Sequence, residues 1–170
     1  MVELTVRTAG AVRYAPRVLR AWLTGTEICV RDESGQLLWL STPEQVAWVH
    51  DGELAVAPAL NDRDAADVAP WEPATEVVAL RTLQSTTLWL KTAADPVPKR
   101  GEPLLAGRAV DWFEAPHEQF RHLEIAQDSE TGFVVHISGT DPQDGDLLVE
   151  ATAIAVLPRN AARFQPRLHL

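Results

Sequence analysis

The stretch Glu27-Ile28-Cys29-Val30-Arg31-Asp32-Glu33-Ser34-Gly35-Gln36-Leu37-Leu38-Trp39-Leu40-Ser41 decides how this chain is read. Two apolar runs, Ile28–Val30 and Leu37–Leu40, flank an acidic turn that ends in Gly35. β-branched and aromatic flanks around residues that tolerate positive φ spell a β-hairpin. A four-residue loop would pair Arg31 with Gln36, Val30 with Leu37 and Ile28 with Trp39. Leu37 and Trp39 then share one face of the returning strand, and Leu38 and Leu40 the other. A strand apolar on both faces must be covered on both, so this hairpin is expected near the centre of the fold.

Working outward, the same grammar recurs. Leu4 and Val6 alternate with polar neighbours in a half-buried strand, and Val12–Leu23 returns it, bent at Pro16. Val46–Val49 and Leu54–Ala57 flank His50-Asp51-Gly52. A competing helix starting at Thr42-Pro43 is less well supported than this hairpin. Glu76–Arg81 and Thr86–Thr92 read as another hairpin around Gln84-Ser85. Leu104–Trp112, Phe120–Ala126, Phe133–Ser138 and Leu147–Leu157 complete the series. Pro158 opens a final helical turn that Pro166 ends. Between these runs lie a long acidic connection, Pro58–Thr75, and a proline-rich loop, Ala93–Pro103. The expectation is a mainly β chain: one antiparallel β-barrel or β-sandwich of about ten short strands, with at most one or two short helices. Residues 1–157 form the domain and 158–170 a basic C-terminal tail.

Composition narrows the class. The chain has 170 residues, 46% of them hydrophobic and 23% charged, which suits a packed globule and is too apolar for disorder. Cys29 is the single cysteine, so no intrachain disulfide forms, and its apolar neighbours predict a buried, inert thiol. No basic leader precedes an apolar run at the amino terminus, and no stretch approaches a bilayer span, so the cytoplasm is expected and no membrane contact. Two Lys against thirteen Arg suit a GC-rich bacterial source. Residues 1–31 carry a net charge of +3 and residues 151–170 another +3, while the body between them carries −15. Two basic ends on an acidic body disfavour duplex nucleic acid and permit a local anion site.

Three groups of residues bear chemistry. His122 and Glu124 share a strand face, and a loop symmetric about Glu130 would set Glu124 opposite His136. These three form the ligand set of an open divalent-metal site, against the simpler reading of a cross-strand polar pair. Acidic clusters at Asp62, Asp64 and Asp67, and at Asp141, Asp144 and Asp146, lack the alternation of a calcium loop and read as turns. Arg13, Arg17 and Arg20 at one end, with Arg159 and Arg163 at the other, would form an anion cradle if the termini meet.

Arg13-Tyr14-Ala15-Pro16-Arg17 resembles the RxxxR arm of PilZ domains, which bind a cyclic dinucleotide. Those domains also carry an Asp or Asn, one residue, then Ser, with Gly three positions on. Asp32-Glu33-Ser34 matches the start of that second motif, whereas Leu37 stands where the glycine belongs.

No phosphate loop, nucleophile elbow, CxxC or Ser/His/Asp order supported by strand placement is visible, and the sequence names no cofactor. The leading expectation is therefore a non-catalytic domain that binds a protein partner or copies of itself. The alternative is a small β-barrel taking an anionic, nucleotide-like ligand at Arg13/Arg17 or a metal at His122/Glu124/His136, with enzymatic activity left open.

Overall fold

In the computed structural model the described residues are 1–10, 16–50, 52–59, 80–143 and 145–167. They hold twelve strands in order: β1 (Val2–Gly10), β2 (Arg17–Leu23), β3 (Ile28–Asp32), β4 (Leu37–Ser41), β5 (Gln45–His50), β6 (Glu53–Pro58), β7 (Val97–Lys99), β8 (Leu104–Leu105), β9 (Arg108–Ala115), β10 (Arg121–Asp128), β11 (Val134–Asp141) and β12 (Gly145–Val156). Among the described residues one helix, α1 (Leu83–Leu90), stands between β6 and β7, and a 3-10 turn, Ala161–Phe164, follows β12.

The strands form one antiparallel sheet in the order β6-β5-β4-β3-β2-β1-β12-β11-β10-β9-β7, with β8 paired to β9 off this path. Most neighbours are consecutive in sequence, as local hairpins require. The exceptions are β7 against β9 and β1 against β12, the latter running from Val2↔Val156 to Gly10↔Leu147 and joining the two ends of the chain at the middle of the sheet. Among the described residues β6 and β7 end the sheet without pairing to each other, so it is open and not a closed barrel. The mainly β expectation holds.

The two faces bury different things. Leu4, Val6, Leu19, Ala21, Leu23, Ile28, Val30, Trp39, Ile125, Ile137 and Val149 line the inner face with Trp89 and Leu90 of α1. Trp39 stacks on Trp48 (ring centroids 6.0 Å) and meets the edge of Trp89 at 5.7 Å, which seats the helix over the sheet. Trp22, Cys29, Leu37, Leu40 and Ala47 point the other way and are closed over by Phe164. Cys29 is fully buried, and that burial pushes its thiol up to about 11, against the pull of Arg31.

The central hairpin forms where expected, with a different register. Asp32 N–H donates to the Gln36 carbonyl (3.1 Å) and Gly35 N–H to that of Asp32 (3.1 Å), closing a shorter loop in which Gly35 takes φ +86°. The Asp32 carboxylate accepts from Gln36 N–H at 2.9 Å and Ser34 Oγ–H at 2.7 Å. A bulge between Val30 and Arg31 then shifts the pairing to Val30↔Trp39 and Ile28↔Ser41. The bulge separates Leu37, which joins the outer cluster, from Trp39, which stays on the inner face.

The expected hairpin around Gln84-Ser85 is instead α1. Thr82 caps it by accepting from Ser85 N–H (3.4 Å), and Lys91 ends it in the left-handed conformation. Thr86, Trp89 and Leu90 are buried, so tertiary burial overrides the strand preference of this β-branched run. Residues 76–79 of that hairpin, and the Asp62/Asp64/Asp67 loop, lie outside the described residues. Thr42 does act as a cap, but for a turn: its Oγ1 accepts from Glu44 and Gln45 N–H before β5 begins. Among the described residues no helix is long and apolar enough to cross a membrane.

Residues 158–167 are packed down as a strap. Arg159 grips Glu27 through two hydrogen bonds (3.0 and 2.8 Å), Phe164 enters the outer cluster, and Arg163 lies over the Trp22 ring at 4.7 Å. Arg31, fully buried, donates to the carbonyls of Gly35 (2.8 Å) and Arg167 (3.1 Å).

Candidate functional site

Strand alternation puts His136 and Ser138 of β11 together on the outer face, with Glu150 of β12 directly across from His136. His136 Nδ1 lies 3.2 Å from Glu150 Oε2, and His136 Nε2 lies 3.0 Å from Ser138 Oγ. Glu150 is itself fixed from β1, where Arg7 Nε and Nη2 donate to Oε1 at 3.0 and 2.8 Å. The Glu150 carboxylate offers Oε2 as the acceptor for the Nδ1–H. That leaves Nε2 with its lone pair toward the Ser138 hydroxyl.

The imidazole is walled in. Its side chain is 9% exposed, and the edge of Trp112 packs on it at 5.0 Å. Trp112 in turn donates from Nε1 to the Glu102 carbonyl at 2.7 Å. Gly101 lies flat on the indole, where an added Cβ would sit 2.4 Å from the ring, so only glycine allows this approach. Burial lowers the His136 pKa below its usual value, outweighing Glu150 and Glu124, whose carboxylates raise it. A neutral imidazole at neutral pH follows.

Ser138 opens onto a cleft of about 620 Å³, also lined by Ala9, His122, Glu124, Thr140 and Asp146. A second cleft of similar volume adjoins it across Ala9, lined by Arg7, Arg17, Val18, Asp32, Glu33 and Ser34. The two clefts flank the C-terminal end of β1 and carry charges of both signs.

The proposed metal trio reaches this region but does not converge. A bulge between Ala126 and Gln127 sets Glu124 opposite Ser138 and Ala126 opposite His136, and a second irregularity lies between Arg121 and Glu124, where His122 takes φ +52°. Glu124 binds Lys99, and His122, 83% exposed, sits 3.6 Å from Glu114. Among the described residues no three His, Cys, Asp or Glu side chains gather as a metal site. The symmetric loop failed because Asp128 N–H bonds to the Phe133 carbonyl (2.8 Å), one position beyond the pairing it assumed.

The arginines divide. Arg20 and Trp22 are on the outer face of β2, and Arg163 stacks on Trp22, so the termini do meet there. Arg159 is committed to Glu27. Arg17 lies apart, at the far end of β2, in the second cleft with Asp32–Ser34. Arg13 lies outside the described residues, as do Tyr14 and Asp144. The Ser138–His136–Glu150 chain was not visible in the sequence, because its carboxylate comes from the neighbouring strand. The only local signal was the His-x-Ser spacing that shares a strand face.

No family model matches the chain, and no curated protein matches it. Among solved structures, an uncharacterized conserved protein from Thermus thermophilus superposes with a TM-score of 0.57 at 10% identity, covering 96% of this chain and 82% of that one. MucB, solved in its Pseudomonas aeruginosa complex with MucA, gives 0.46 at 15% identity, and the chain spans 57% of its length. The LolA superfamily protein NE2245 from Nitrosomonas europaea gives 0.33 at 10% identity over 96% of this chain and 88% of that one. The Thermus match shows a shared fold.

Proposed function

We propose that this domain binds an extended segment of a protein partner along the groove formed by the two clefts. The observation that carries the reading is their continuity. Each is about 620 Å³, they share Ala9, and together they cross the end of β1. One such cleft suits a compact small molecule, whereas two end to end suit a chain. Arg7, Arg17, Asp32 and Glu33 line one half, Glu124 and Asp146 line the other, and Val18, 41% exposed, offers an apolar contact. Groups of both signs favour a polar segment with a defined register over any one simple ion.

The reading is tested by placing a photo-cross-linking amino acid at Val18 and, as a control, at Leu88, which is exposed on α1. Cross-linking in cells from position 18 and not from 88 is expected. Mass spectrometry of the product then identifies another chain or a second copy of this one. Equal or absent cross-linking at both positions overturns the reading.

A second reading rests on one observation, the meeting of Arg17 and Asp32–Ser34 in one cleft. It assigns that half to a small anionic ligand, and titration calorimetry with a cyclic dinucleotide tests it. Heat that survives Arg17→Glu rules it out.

A further inference from the structure

The Ser138–His136–Glu150 chain satisfies the geometric conditions for an activated hydroxyl. Nucleophile and base are within hydrogen-bond reach at 3.0 Å, and base and carboxylate at 3.2 Å. The carboxylate is held by Arg7, and the ring by Trp112. Ser138 is half-buried and faces the cleft, while His136 behind it is buried. A polar pair serving only to tie two strands together would need neither the third member nor a cleft in front of the hydroxyl.

We propose that Ser138 is an acyl-accepting nucleophile, with His136 as general base and Glu150 as its orienting carboxylate, and that the cleft takes carboxylic esters. Ser138 Oγ bonds to the ester carbonyl carbon as its proton passes to His136 Nε2. The carbon–oxygen bond to the leaving alcohol then breaks, and that proton leaves with the alcohol. Water attacks the Ser138 ester, giving a proton to Nε2. The Oγ–carbon bond breaks, the proton returns to Oγ, and the carboxylic acid departs. No oxidant, reductant or metal enters the balance. This chemistry goes beyond partner binding and does not depend on it, because the test needs only the isolated chain.

The purified chain is treated with a fluorophosphonate probe and followed by intact mass, and p-nitrophenyl acetate turnover is measured in parallel. One adduct per chain, mapped to Ser138 and absent from Ser138→Ala, is expected. His136→Gln and Glu150→Gln should each slow both reactions, the former by about 100-fold or more, as loss of a general base does. Circular dichroism confirms that each variant is folded. If His136→Gln does not fold, Ser138→Ala and Glu150→Gln decide the matter. An unlabelled parent, an adduct elsewhere, or turnover unchanged in Ser138→Ala overturns the proposal. Cross-linking at Val18 is read separately, so either proposal can fail alone.

Discussion

Arg159 holds Glu27 through a two-point ion pair that spans 132 residues of chain. Glu27 is 9% exposed and Arg159 56%, so the carboxylate is the dependent partner. Side-chain bonds from Arg159 hold the Glu27 pKa below the usual carboxylate value, against the effect of burial. The pair starts the strap that closes the outer face.

The strap should therefore be a stabilising element and not a free tail. Phe164 is 6% exposed in the outer cluster. Phe164→Ala should cost about 3 kcal/mol, the lower end for a buried phenylalanine, because its pocket lies near the surface. Urea denaturation measures this. A loss below roughly 0.5 kcal/mol, the range of ordinary surface changes, would show that the strap contributes little.

Trp39 should matter more. It is 1% exposed and lies between Trp48 and Trp89. Trp39→Ala should cost about 3–5 kcal/mol and loosen α1, which rests on it. Denaturation gives the energy, and amide exchange in Leu83–Leu90 should accelerate beyond that of β10 and β11.

Stability should respond to pH through His136. Its folded pKa lies below the unfolded value near 6.5, owing first to burial, with Arg7 adding to it and Glu150 and Glu124 opposing. The unfolded chain then binds more protons in that window, so stability falls as pH drops below about 6.5. It levels off once pH passes the folded value. Thermal melts between pH 8 and 5 should show this slope in the parent and lose it in His136→Gln.

A second, more acidic limb belongs to Asp128. Burial raises its pKa, but Arg108 (Nε to Oδ2, 2.5 Å) and the Thr131 amide and hydroxyl outweigh that and bring it from 3.8 to about 2. The folded value is depressed, so this stability is present above pH 3.8 and lost as pH falls toward 2. The shift corresponds to about 2 kcal/mol. Asp128→Asn should be less stable than the parent at pH 6, with the gap closing near pH 2.

Much of the architecture was written in local chemistry. The alternation in Leu4–Val6, the turn at Gly52 and the Asp32–Gly35 turn each specify a strand or hairpin through φ preferences and period-two burial, which involve only neighbouring residues. Cys29 was legible as a buried thiol for the same reason. The sequence alone thus determined a mainly β chain of short antiparallel strands.

Register and partners needed the tertiary structure. The bulges at Val30 and Ala126 cost little locally and are chosen by what the shifted side chains can bury. One slipped residue sent Leu37 away from Trp39, and the turn at Asp128–Phe133 together with the Ala126 bulge kept Glu124 from facing His136. Leu83–Leu90 became a helix because Trp89 found Trp39, a contact no local propensity encodes. The pairing of β1 with β12 brought Arg7 to Glu150, and that of β11 with β12 brought Glu150 to His136. Closing such loops is an entropic cost repaid only when the whole sheet assembles. For that reason the Ser138–His136–Glu150 chain exists in the fold and not in any stretch of the sequence.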